Sequence, residues 1–257
     1  MTNPAEIVPG LMFYSFLSTT RKEKVGFFEH RMLVLQVSGQ LTIATADQTI
    51  STRPGEMLLV RKNQLAELTK LPTDDGTYQS IVIVLKEESL RQFALEEKIG
   101  ATAKYTGQPN ILIRRNDFLQ GFFQSILPYV RNPDEKITAA LGKLKVKEAI
   151  QLLLYSMPEL KDYLFDFSEP HKIDLEKFML NNYHFNMSVE KFAKLTGRSM
   201  AGFKRDFQKT FDMAPRQWLL EMRLTEARNL IEQKSKKPSA IYLDLGFESL
   251  SHFSHSF

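Results

Sequence analysis

The feature that most restricts this fold is a short pattern written twice near the C-terminus. Ser199, Phe203 and Phe207 form a Ser-x3-Phe-x3-Phe frame, and Ser249, Phe253 and Phe257 repeat it fifty residues later. Ahead of the first frame, Phe192 and Leu195 are matched at the same offset by Tyr242 and Leu245. Apolar residues three or four apart share one stripe of an α-helix. Ser188 and Ser199 precede the two stripes of the first copy, where a side-chain oxygen caps a helix N-terminus, and Thr196-Gly197 breaks the pattern between them. Each copy therefore reads as helix, tight turn, helix, an arrangement whose second helix fits a DNA major groove. Two copies are too few for a repeat array, so the better account is two units joined by one helix. Helical domains that touch no nucleic acid also contain such pairs, and the motif alone leaves that reading open.

The joining segment fits. Pro215 suits the first turn of a helix, and Leu220, Leu224, Ala227 and Ile231 follow on one stripe. A helix from Pro215 to about Gln233 would be roughly 28 Å long at about 1.5 Å per residue. Elements reading one face of DNA stand about 34 Å apart, one helical turn. Burial of Met222 and Leu230 is expected if this helix carries both units. The face of the second helix opposite its Phe stripe holds Ala201, Lys204, Arg205 and Gln208.

The segments FKRDFQKTFDMAPRQWLLEMRLTEARNLI and IYLDLGFESLSHFSHSF resemble the two-unit DNA-binding region of AraC/XylS-type bacterial transcription regulators. The match includes Phe203-Lys204-Arg205, Pro215 eleven residues beyond Lys204, Trp218, Arg223-Leu224, Ala227, Leu230-Ile231 and Gly246-Phe247, over about a third of the chain. Trp218 stands where the family usually has tyrosine. The family also continues past the position of Phe257 through a basic stretch and a closing helix, so the second recognition helix is expected to be short. The resemblance implies a site. Lys204 and Arg205 would meet bases, arginine engaging guanine bidentately, with Ala201 against a thymine methyl and Gln208 on the same face. Arg198, Ser199, Lys209 and Arg216 would hold phosphates, which fix position without reading sequence. In the second unit Ser251, Ser254 and His255 face away from Phe253 and Phe257. The partners implied are double-stranded DNA, a second copy in a homodimer, RNA polymerase, and a small-molecule or protein effector.

Charge distribution agrees. From Lys172 to Phe257 there are 14 basic and 10 acidic residues, which accounts for the whole net charge of +4, while the preceding part balances. The excess is mild and occurs in many proteins that never meet nucleic acid. Cysteine is absent, which excludes disulfides and thiolate metal sites. No run is apolar enough to span a bilayer and residues 1–30 lack a leader pattern, so a cytoplasmic, membrane-free protein is expected.

Upstream, residues 11–17, 32–37, 41–44, 57–60 and 81–85 are short apolar runs rich in β-branched residues, parted by Ser38-Gly39, Pro54-Gly55 and Asp74-Asp75-Gly76. They suggest a sandwich or barrel, and the resemblance implies a cupin-like barrel that senses a signal. Helical periodicity follows at 87–100, at 118–127 up to Pro128, and over a long apolar stretch at 137–157. In the family such helices pair with their copies. Residues 158–171 read as a connection, and a helix at 173–180 opens the DNA-binding region. The expected fold class is α+β: a cupin-like sensing and dimerising domain at 1–165, with strands about 11–85 and helices about 87–157, then an all-α domain at 172–257.

Two rivals remain: a cupin-like metal enzyme with a helical appendage, and a protein-interaction module without DNA function. Residues 1–170 hold one histidine, His30, and its neighbour Glu29 would point to the opposite face of a strand. No Gly-x-Ser-x-Gly elbow, phosphate loop or dinucleotide fingerprint occurs. No catalytic residue, metal or cofactor is therefore expected. Phe13, Tyr14, Phe16, Phe27, Phe28 and Tyr78 could line an effector cavity or simply fill a core.

Overall fold

The computed structural model describes residues 5–25, 28–45, 48–74, 76–114, 116–131, 138–168 and 172–257. They separate into two compact units. The first comprises residues 1–23, 28–62 and 67–168; the second comprises 24–27, 63–66 and 169–257.

The first unit begins with nine strands: β1 (Ala5–Val8), β2 (Met12–Leu17), β3 (Arg21–Val25), β4 (Arg31–Ser38), β5 (Gln40–Ala44), β6 (Thr49–Thr52), β7 (Met57–Val60), β8 (Ala66–Leu71) and β9 (Tyr78–Leu85). Helix α1 (Glu87–Glu96), strand β10 (Asn110–Ile113) and helices α2 (Asp117–Gln124), α3 (Leu127–Arg131), α4 (Ala139–Ser156) and α5 (Leu160–Phe165) follow. One sheet has the order β1-β2-β9-β4-β7-β10 and the other β3-β8-β5-β6. Because side chains alternate along a strand, each strand of the larger sheet serves two surroundings. Leu33, Leu35, Met57, Leu59, Ile81 and Ile83 share one core with Phe93, Phe122, Ile150 and Leu164 of the helices. The intervening residues are polar in one row: Ser15 pairs with Ser80, and Ser80 with Gln36. All three are buried, and Gln36 accepts a hydrogen bond from Thr52 Oγ1 of the smaller sheet at 3.4 Å. An interior hydroxyl or amide must find such a partner or cost stability.

The structure departs from the sequence-based expectations at several places. Strands β1, β3, β6, β8 and β10 were not expected; they are short or polar, and only ladder pairing with neighbours makes them visible. Pro128 does not stop a helix but occupies the second position of α3, where proline lacks no needed hydrogen bond. The connection expected at 158–171 contains α5, whose Leu160, Tyr163, Leu164 and Phe165 are buried in the first unit's core. Arg31 at the start of β4 holds this helix: it is 4% exposed and donates to the carbonyls of Tyr163 (3.0 Å) and Asp166 (2.6 Å). Ile137 and residues 169–171 lie outside the described residues.

The second unit is helical: α6 (Leu175–Asn182), α7 (Val189–Leu195), α8 (Met200–Phe211), α9 (Pro215–Glu232), α10 (Pro238–Ile241) and α11 (Leu250–Ser256). Its two larger apolar clusters lie around α9. Met179, Phe192, Phe203, Phe207, Trp218 and Leu219 form one, and Ala227, Ile241, Leu245, Phe247 and Phe253 form the other. The joining helix thus feeds both clusters, but the expected stripe is shifted. Trp218 and Leu219 are buried, Trp218 against Phe207 and Phe211 of α8, while Leu220 is 38% exposed. Met222 and Leu230 are half-buried, each packed on its own cluster.

Candidate nucleic-acid interface

Helix α8 is fixed from below by aromatic packing. Phe203 and Phe207 are fully buried. Phe207 meets Trp218 edge-on at 5.6 Å and Phe211 stacks obliquely on Trp218 at 4.6 Å, arrangements that add to simple area burial. The opposite side of α8 is left to solvent, and Ala201, Lys204, Arg205, Gln208 and Lys209 are all exposed. The helix starts at Ser199, whose hydroxyl accepts from Gly202 N at 3.2 Å, and ends at Asp212 in the left-handed region. Ser188 occupies the N-cap position of α7 but makes no cap bond, against expectation. Its hydroxyl bonds the Glu190 carboxylate instead, after the Glu190 backbone the next contribution holding that group below its ordinary range.

The turn between α7 and α8 is locked by its own polar groups. Thr196 is fully buried, and its hydroxyl donates to the carbonyls of Phe192 (3.0 Å) and Ala193 (2.9 Å). Gly197 takes φ +66°, the conformation that closes a helix C-terminus. Arg198 then turns inward. Its side chain is 10% exposed, and it donates to Asp206 Oδ2 (3.0 Å), Ile173 O (3.0 Å) and Thr196 O (2.8 Å). Lys172 lies 3.6 Å from the same Asp206 oxygen, and Arg205 Nε lies 3.6 Å from the other. The Arg198 hydrogen bond, with these cations, holds the Asp206 carboxyl below the usual carboxylate range. Of the four residues expected at phosphates, Ser199, Lys209 and Arg216 are exposed; Arg198 is built into the turn.

In the second unit, Ser249 caps α11 by accepting from His252 N at 3.1 Å, and Phe253 is buried against Phe247 at 5.0 Å. Ser251, Ser254 and His255 are exposed, as is His252, which sequence reading passed over. The turns of the two units differ by one residue. The positive-φ glycine is Gly197 in one and Gly246 in the other, an offset of 49, whereas the capping serines differ by 50. Glu248 therefore stands in the frame where the first unit has Arg198.

A model of the ExsA N-terminal regulatory domain matches residues 31–163, and a helix-turn-helix domain model matches 192–257. The chain belongs to the AraC/XylS family of transcription regulators. It is 25% identical to the HTH-type transcriptional regulator ExsA of Pseudomonas aeruginosa, over 90% of this chain and 84% of that one. To the thermoregulatory protein LcrF of Yersinia pestis it is 26% identical, over 88% and 83%. A solved structure of ToxT from Vibrio cholerae covers 96% of this chain and 93% of its own at 14% identity and a TM-score of 0.44. An AraC/XylS-type regulator binds DNA and is not an enzyme. Among the described residues no cluster of three metal-ligating side chains occurs, and no helix is long and apolar enough to cross a membrane.

The aromatic residues that could line an effector cavity or fill a core do not all face one way. Tyr78 and Phe28 are buried, Phe16 is 48% exposed, and Tyr14 packs on the helix-facing core while its strand neighbour Phe13 faces the other way. Phe27 lies outside the described residues.

Proposed function

We propose that this chain is a transcription activator that reads two adjacent major-groove segments of double-stranded DNA, in the cytoplasm, as a dimer. The observation that carries the reading is the exposed row Ala201, Lys204, Arg205 and Gln208 on a helix whose other side is anchored by fully buried Phe203 and Phe207. Lys204 and Arg205 read bases, with Ala201 and Gln208 alongside; Ser199, Lys209 and Arg216 hold phosphates. Arg198 serves the fold of the turn. Ser251, Ser254 and His255 of α11 form the second, smaller reading surface. Activation is inferred from the name of a relative, the virulence regulon transcriptional activator VirF of Yersinia enterocolitica, 25% identical over 88% of this chain, and implies contact with RNA polymerase.

Residues 1–165 are assigned to sensing a small-molecule or protein effector and to dimerisation, and 172–257 to DNA binding. Dimerisation is supported by an exposed apolar strip, in which Leu144 and Tyr155 of α4 are 63% and 67% exposed and Phe118 of α2 meets Tyr155 edge-on at 5.3 Å.

The test is selection from random duplex DNA at two salt concentrations. Enrichment of two short blocks about one helical turn apart is the expected result. Binding without enrichment that vanishes as salt rises would reduce the interaction to charge and overturn the reading.

A further inference from the structure

The two helix-turn-helix units meet at a polar junction that α9 alone does not explain. Arg223 lies on α9 between the parts that feed the two apolar clusters: Trp218, Leu219 and Met222 belong to one, Leu224 and Ala227 to the other. Its guanidinium spans the gap. Nε donates to Tyr183 O (2.9 Å) and Nη2 to Phe185 O (2.9 Å), both in the segment that enters the first unit. Nη1 donates to Gly246 O (3.0 Å), in the turn of the second. Tyr183 is the C-cap of α6, so its carbonyl sits at a helix end where partial negative charge collects.

Gly246 completes the junction from the other side. Its φ is +83°, and a Cβ there would stand 2.6 Å from His184 O and 3.0 Å from Arg223 Cζ. The second unit's backbone therefore lies directly against the first unit's entry segment. All three hydrogen bonds of Arg223 go to main-chain carbonyls. A planar fork with fixed donor directions sets an angle between its acceptors, which a lysine ammonium does not.

We propose that Arg223 is a positioning residue that sets the spacing and rotational phase of the two DNA-reading helices, using Gly246 as its seat. The inference rests on the two-segment reading above. DNA turns once in about 10.5 base pairs, so about 35° of slack between the units equals one base pair of register. A stiff link concentrates the second unit at one spacing, whereas a loose link spreads the same affinity over several.

The test uses the full-length chain and a series of duplexes in which the two selected blocks are moved apart in single base-pair steps across one turn. The unaltered chain should show one optimum, with affinity on the order of 10²-fold lower half a turn away. Arg223→Gln should flatten that contrast to about threefold while an isolated first block is bound within about twofold of the unaltered chain. Arg223→Lys should resemble Arg223→Gln, because charge without the fork does not restore the angle. A sharp optimum kept by both variants overturns the proposal and leaves two-segment reading intact. A spacing-indifferent unaltered chain overturns both. Independently of DNA, spin labels on Glu190→Cys and Glu248→Cys, in a chain with no other cysteine, report the distance between units. Arg223→Gln should broaden that distribution, and an unchanged width contradicts the proposal.

Discussion

Arg198→Ala separates the two roles open to this residue. A phosphate contact would be exposed and dispensable to folding. Arg198 is instead 10% exposed and makes one charged and two carbonyl hydrogen bonds. Removing it takes a donor from the partly buried carbonyl of Thr196 and from the exposed carbonyl of Ile173, and takes the closest cation from Asp206. A carbonyl left short of its donor costs about 1–3 kcal/mol, and water at Ile173 and the remaining Ile173 N–H at Thr196 recover part of that. The expected loss is about 1–2 kcal/mol in the second unit, or a fall of about 5–10 °C in its Tm. The assay is thermal unfolding paired with DNA affinity over a salt series, at a temperature where the variant stays folded. The slope of log K against log salt should match that of the unaltered chain. Unchanged stability with a slope smaller by about 0.9 would make Arg198 a phosphate contact and refute the reasoning.

Three further perturbations follow from the packing and the charges. Phe207→Ala should destabilise the second unit by about 3–5 kcal/mol, since the ring is fully buried among Phe203, Phe211 and Trp218; denaturant unfolding checks this, and a loss under about 1 kcal/mol contradicts it. Asp162 is held below the usual carboxylate range, first by the backbone N–H of Thr102. Its stabilisation is present above the ordinary value of 3.8 and lost as pH falls through the depressed folded value. Asp162→Asn should therefore blunt the acid-induced fall in Tm below about pH 4; an unchanged acid limb contradicts this. Leu144→Glu places a charge in the exposed strip of α4 and should convert a dimer to monomers by sedimentation, with the Tm kept within a few degrees.

The second unit was legible because its helices announce themselves by period. Phe203 and Phe207, the capping Ser199 and the breaking Gly197 each do in the structure what local chemistry requires of them. The first unit was less so. Asn110, which opens β10, closes a fold-back by accepting from the Arg61 backbone N–H, and nothing in the polar run 101–110 signals a partner fifty residues away. The pairing of Arg198 with Asp206 was not legible for the same reason. They are eight residues apart across a turn, so their pairing depends on how α7 and α8 fold back, and a lone arginine at a helix start looks like a phosphate ligand. Leu220 matched the apolar stripe, but Trp218 and Leu219, which that stripe left out, are the residues buried in this part of α9.

The central claim is that α8 reads bases through its exposed row. The most direct measurement is the affinity of the unaltered chain, Lys204→Ala and Arg205→Ala for the selected duplex and all its single base-pair substitutions. Arg205→Ala should cost about 1–3 kcal/mol on the selected site and erase the preference at one base pair, leaving the others intact. An equal loss on every duplex, with the whole preference profile preserved, would make Arg205 a backbone contact and contradict the account.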